Sequence, residues 1–160
     1  MRTTSTVGHQ RPVVSRAAAR EVRRGATALA ARARVERRGA LSLNQVAVLG
    51  RVVTRGPLTP GEVASQLRTQ PQSLTRTFAA LEAAGYLHRA PDPSDGRQAL
   101  LVATAEGRSA LSAEMAPRDA WVRSAMQEVL TPAECGLLVA AAELLNRLAE
   151  VDADIAPVES

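Results

Sequence analysis

The stretch PQSLTRTFAALEAAGYLHRAPDPSDGR, residues 71–97, decides how the whole chain is read. Its first half places Leu74, Phe78 and Leu81 at spacings of four and three, one face of an α-helix. Pro71 suits a first helical position, and Gly85 stands where a left-handed C-terminal cap is wanted. Opposite the apolar stripe lie Gln72, Arg76 and Ala79, flanked by Ser73 and Thr75, a small polar face with a single charge. The second half predicts two short strands, 87–91 and 98–104, around Asp92-Pro93-Ser94-Asp95-Gly96-Arg97, whose proline, aspartates and glycine make a hairpin tip.

Upstream, Ser42 and Gln45 form a capping-box pattern that opens a helix with Val46, Leu49 and Val53 along one side. Gly56-Pro57 ends it, and Thr59-Pro60 with Glu62 opens a short helix carrying Val63 and Leu67. The order is then helix, short helix, tight turn from Arg68 to Pro71, helix, hairpin. A helix-turn-helix lays its second helix in the DNA major groove with the N-terminal residues at base edges. In that placement Gln72 can pair bidentately with adenine and Arg76 with guanine, while Ser73 and Thr75 suit base or phosphate oxygens. The hairpin would lie by the minor groove, where Arg97 answers the concentrated negative potential.

Outside this unit the chain reads as long helices. After Pro12, Val14, Ala18, Val22, Ala26, Leu29 and Ala33 predict a helix ending near Gly39. A fifth helix is expected over 105–129, bent near Pro117. A last one opens at Thr131-Pro132 with Glu134 and carries Leu137, Ala141, Leu144 and Leu148. Residues 1–11 lack periodicity and read as a mobile tail, as do 152–160.

Charge follows the same division. All 20 basic residues are arginine, against 16 acids. Residues 1–40 are net +8, 41–110 net +2 and 111–160 net −6. The asymmetry suits either a polyanion-binding half or two halves that face each other. A hydrophobic fraction of 46% supports a packed core, while 2% aromatics leave too few rings for a single-strand stacking platform. The single cysteine forbids an internal disulfide and suits a reducing compartment. No apolar run approaches the roughly 20 residues of a membrane span, and a cytoplasmic location is expected. The Arg-rich start also fits a transit peptide, but its later half shares the helical register of the chain.

Several marks together carry a resemblance. They are Leu74-Thr75-Arg76 in the second helix, Leu81 through Leu87 leaving it, Asp92 through Arg97 at the tip, and Thr104-Ala105-Glu106-Gly107 at the next junction. In these the chain resembles the multiple-antibiotic-resistance-regulator (MarR) family of winged helix-turn-helix transcription regulators, over about residues 13–151. The resemblance implies a mainly α (α+β) fold. A winged helix-turn-helix lobe, 41–104, carries a two-stranded wing, and 12–40 with 105–151 form an interlocking helical dimerisation lobe. It implies a homodimer reading a pseudo-palindromic operator in double-stranded DNA, more often as a repressor. Gln70, Gln72, Ser73, Thr75 and Arg76 become recognition-helix contacts, with Gln70 standing where Ser or Thr commonly caps. Arg89, Ser94, Asp95, Gly96 and Arg97 become the wing, Asp95 pairing with Arg76 or Arg89. A small aromatic or anionic effector would enter a cleft near Val48, Arg51, Val52, Arg55 and Trp121; the plainer reading makes the valines core, the arginines solvated and Trp121 dimer packing.

Enzyme chemistry finds no motif: there is no Gly-rich phosphate loop, no Gly-x-Ser-x-Gly elbow and no His-Glu-x-x-His. His9 and His88 lack metal-ligand spacing, so neither a metal nor a cofactor is expected. Cys135, in a helix's first turn, reads as structural before reactive. A winged helix used for protein interaction without sequence-specific DNA binding stays open as the alternative, and a ligand-carrying or catalytic helical protein is a weaker third.

Overall fold

Five hydroxyl side chains start five of the six helices. The computed structural model describes residues 13–95 and 98–151. Its order is α1 (Arg16–Val35), α2 (Leu43–Arg55), α3 (Pro60–Gln66), α4 (Pro71–Ala83), β1 (Leu87–Pro91), β2 (Ala99–Ala103), α5 (Ala105–Val129) and α6 (Pro132–Ala149). Ser15, Ser42, Thr59, Thr104 and Thr131 each accept a hydrogen bond from a first-turn amide, and Ser42, Thr59 and Thr131 complete full capping boxes. Each such cap contributes about 1 kcal/mol. The first helix therefore begins at Ser15, three residues after Pro12, and stops at Val35, short of Gly39.

The core belongs to the middle of the chain. Val48, Leu49, Val52, Val63, Leu74, Phe78, Leu81, Leu87 and Leu101 are buried in one cluster. In α2 the buried register is Val48, Leu49 and Val52, whereas Val46 and Val53, expected inside, are only partly covered. The shift follows from α2 packing against both α4 and α5, which asks for a wider face than one stripe.

The two strands pair antiparallel, from Leu87 opposite Ala103 to Pro91 opposite Ala99. A feature absent from the sequence reading joins them. Leu58, in the loop before α3, exchanges two backbone hydrogen bonds with Leu101 at 3.2 and 2.7 Å, so the loop forms a one-residue third strand. One such pair leaves no periodicity to detect.

The outer helices behave differently. Neither α1 nor α6 has a buried residue. Val22, Leu29, Leu137, Leu144 and Leu148, the predicted stripes, face outward, with Leu137 70% exposed. Among the described residues no helix is long and apolar enough to cross a membrane. The two tails, 1–11 and 152–160, lie outside the described residues, as do Gly96 and Arg97 at the wing tip.

Candidate nucleic-acid interface

The first turn of α4 is open by construction. Gln70 sits at the N-cap in extended backbone but makes no side-chain capping bond. Pro71 has no N–H, and the amide of Ser73 is taken by the Gln70 carbonyl at 3.0 Å. The Gln70, Gln72, Ser73, Thr75 and Arg76 side chains are all exposed, while Leu74, Phe78 and Leu81 turn into the core. The expected polar face is thus presented whole, and among the described residues no acid pairs with Arg76.

The helix ends in a left-handed turn. Gly85 has φ +72°, its N–H reaches the Glu82 carbonyl, and the Tyr86 N–H reaches that of Leu81, both at 2.9 Å. This double bond pattern closes the helix and starts β1 at a fixed angle. Thr104 fastens the far side: its hydroxyl donates to the Gly85 carbonyl at 2.7 Å and accepts from the Gly107 N–H at 2.9 Å. Gly107 must be glycine, because a Cβ there would strike the Tyr86 carbonyl. One ion pair completes the brace, Arg89 Nε to Glu82 Oε1 at 2.8 Å. These bonds tie the end of α4 to the root of β1 and the start of α5. Glu82 and Thr104 stand in motifs that the sequence marks, but their bonds to Arg89 and Gly85 and the Leu58 pairing were not foreseen, because the partners lie 7, 19 and 43 residues away.

In the wing, the Asp92 carboxylate accepts from both the hydroxyl and the amide of Ser94 at 2.7 Å. These bonds, the hydroxyl first, hold its pKa below the usual carboxylate range. Backbone bonds of Gln98 to Asp92 and Asp95 close the loop root. Of the residues expected to pair with Asp95, Arg89 bonds Glu82, and Asp95 accepts from the Gln98 side chain at 3.0 Å. Ser94 and Arg89 are exposed beside it, and the Gly96 and Arg97 expectations fall on undescribed residues.

The five residues expected around a ligand cleft divide between core and surface. Val48 and Val52 are core, at 0% and 2% exposure. The Trp121 ring on α5 lies under the Arg32 guanidinium of α1, 4.4 Å from its centroid. Arg51 and Arg55 alone share a cleft, next to the end of α6. Cys135 is half-buried with its Sγ 3.9 Å from the Met126 carbonyl. Among the described residues no three His, Cys, Asp or Glu gather as a metal site.

Comparison with known proteins agrees with this geometry. The sequence profile of the MarR family matches residues 41–98, the helix-turn-helix and most of the wing. An uncharacterised HTH-type transcriptional regulator of Mycobacterium bovis is 36% identical over 110 residues, 69% of this chain and 76% of its own length. A transcriptional regulator protein of Pseudomonas aeruginosa superposes with a TM-score of 0.66 at 32% identity, covering 84% of this chain and 94% of that one. BpsR of Bordetella bronchiseptica, whose DNA binding is regulated by 6-hydroxynicotinic acid, shares the fold at a TM-score of 0.55 and 24% identity, with 89% and 100% covered.

Proposed function

The chain belongs to the MarR family of winged helix-turn-helix transcriptional regulators, and from that premise we propose that it is a homodimeric, sequence-specific repressor of the cytoplasm. Its relatives are transcription regulators, not enzymes. Residues 41–104 serve as the DNA-binding region, and 12–40 with 105–151 as the dimerisation region.

The observation that carries the reading is the open first turn of α4 braced against the wing. Gln72 and Arg76 reach base edges in the major groove, Ser73 and Thr75 take phosphate or base oxygens, and Arg97 enters the minor groove. In the same reading Gln70, Arg89, Ser94, Asp95 and Gly96 contribute further contacts to DNA. Dimerisation is supported by the uncovered leucines and valines of α1 and α6, since apolar side chains exposed along a helix face mark interaction sites. A two-fold pair presents two such surfaces to an inverted repeat, half-sites roughly 10 bp apart.

A small molecule regulates DNA binding in BpsR, and for this chain an effector that releases DNA fits the reading, with Arg51 and Arg55 as its cationic contacts. The test is fluorescence anisotropy on duplex DNA from upstream of the chain's own gene, over a salt series. Binding falls steeply with salt, Arg97→Ala weakens it on every sequence, and Gln72→Ala or Arg76→Ala costs roughly 1–3 kcal/mol at particular bases. Equal binding by all three variants and the parent contradicts the assignment.

A further inference from the structure

Resting on the effector reading above, we propose that the cleft between the C-terminal ends of α2 and α6 binds a compact polyanion, a small polycarboxylate or phosphate, with Glu150 as a built-in substitute. The cleft holds about 420 Å³ and is lined by Arg51, Arg55, Ser65, Gln66, Arg68 and Glu150. A neighbouring cleft of about 430 Å³ shares Arg51, Arg55 and Glu150. The ion pair of Arg55 Nη2 with Glu150 Oε1, at 2.7 Å, therefore divides one larger space.

Charge decides the ligand class. Three guanidinium groups face one carboxylate, and among the described residues neither Arg51 nor Arg68 has an ionic partner. Guanidinium forks bind carboxylate and phosphate oxygens two at a time, so the surplus calls for at least two negative charges in a small volume. Ser65 and Gln66 add hydrogen-bonding side chains at the rim.

The backbone at Arg68 argues against a merely solvated arginine. Arg68 ends α3 in the left-handed region, φ +51°, with its N–H on the Ser65 carbonyl and the Thr69 N–H on that of Ala64. This is the same closure that Gly85 makes for α4, at a position that glycine fills at no steric cost. An L side chain there costs roughly 1–2 kcal/mol of backbone strain. The side chain is kept against its local conformational preference. A DNA phosphate is a poor occupant, because Glu150 and the end of α6 line the same cleft and oppose a duplex by charge and bulk.

Calorimetric titration of the full chain with citrate, pyrophosphate and acetate, at ionic strength matched with chloride, tests the site. Citrate or pyrophosphate binds one per chain, and the tighter of the two identifies a carboxylate or a phosphate source. Arg68→Gly, which relieves the turn and keeps the fold, and Arg51→Gln each weaken that binding by at least about tenfold, the loss of one charged hydrogen-bond pair. Glu150→Gln, which removes the built-in competitor, strengthens it several-fold. Acetate matching the polyanions, affinity unmoved in Arg68→Gly and Arg51→Gln, or loss of DNA affinity in those variants without loss of anion affinity overturns the proposal. Binding of the anion does not depend on the DNA reading above, since it is measured without DNA.

Discussion

The carboxylate of Glu114 occupies the space above Gly39 where any side chain would stand. Glu114 is 2% exposed, and Arg37 at 3.2 Å and Arg118 at 3.1 Å hold it from two sides. The linker after α1 is thereby clamped to α5, at the point where the outer helices meet the winged lobe. The glycine is needed here for space, whereas Gly85 is needed for its left-handed backbone.

Gly39→Ala forces the buried carboxylate away from its arginines. The expected loss is about 3 kcal/mol, the scale of breaking a buried ion pair. Chemical denaturation checks it, and Glu114→Ala supplies the cycle: Gly39→Ala costs far less in that background. Additive losses would mean that the two residues act independently.

Thr104→Val removes the hydroxyl that caps α5 and ties it to Gly85, keeping the shape. A loss of roughly 1–2 kcal/mol follows, from one cap and one further bond. If Thr104 braces wing against recognition helix, hydrogen exchange at Tyr86 and Leu87 quickens in this variant more than at the centre of α2. Uniform quickening would mean a plain loss of stability without local uncoupling.

Much of this arrangement was legible beforehand. Helical spacing located Leu74, Phe78 and Leu81, and three serine or threonine boxes located helix starts, because these signals are local and repeat with the period of the element. The exposed face of α4 follows from the same spacing. What stayed hidden needs three dimensions. Glu114 looks like an ordinary helix-surface acid until α1 arrives with Arg37. Glu82–Arg89, Leu58–Leu101 and Arg55–Glu150 join residues whose separation in the chain has no period. Val48 and Val52 outweigh Val46 and Val53 because several neighbours, α4, α5 and β2 foremost, cover α2.

Leu144→Asp sets a charge in the face that a second copy covers in the proposed dimer. Leu144 and Leu148 are 53% and 63% exposed in the single chain, so the substitution spares the fold. Sedimentation at micromolar concentration shows a dimer for the parent and a monomer for the variant. Residues 16–35 carry six arginines and one glutamate, and 132–150 three glutamates and one arginine. Added salt therefore weakens the parent dimer by screening their attraction. A monomeric parent that binds DNA contradicts the architecture.

Acid acts on two exposed carboxylates. Asp92 and Glu134 both lie below their ordinary values of 3.8 and 4.5, Asp92 through the Ser94 hydroxyl first and Glu134 through the Thr131 amide first. A depressed folded pKa contributes stability that is present above the unfolded value and fades as pH falls through the folded one. The wing turn and the start of α6 therefore keep this contribution above the ordinary carboxylate values and lose it as pH falls from those values toward the lowered folded ones. Carbon-detected NMR titration reads both directly; midpoints at or above the ordinary values contradict the hydrogen bonds described.

The central claim is that two copies read an inverted repeat through α4 and the wing. Selection of bound duplexes from a random pool by the full chain tests it most directly. The account predicts enrichment of a two-fold motif with half-sites roughly 10 bp apart, lost from the pool of Gln72→Ala and Arg76→Ala together. Retention of DNA with no enriched motif, or the same motif from the double variant, would contradict it.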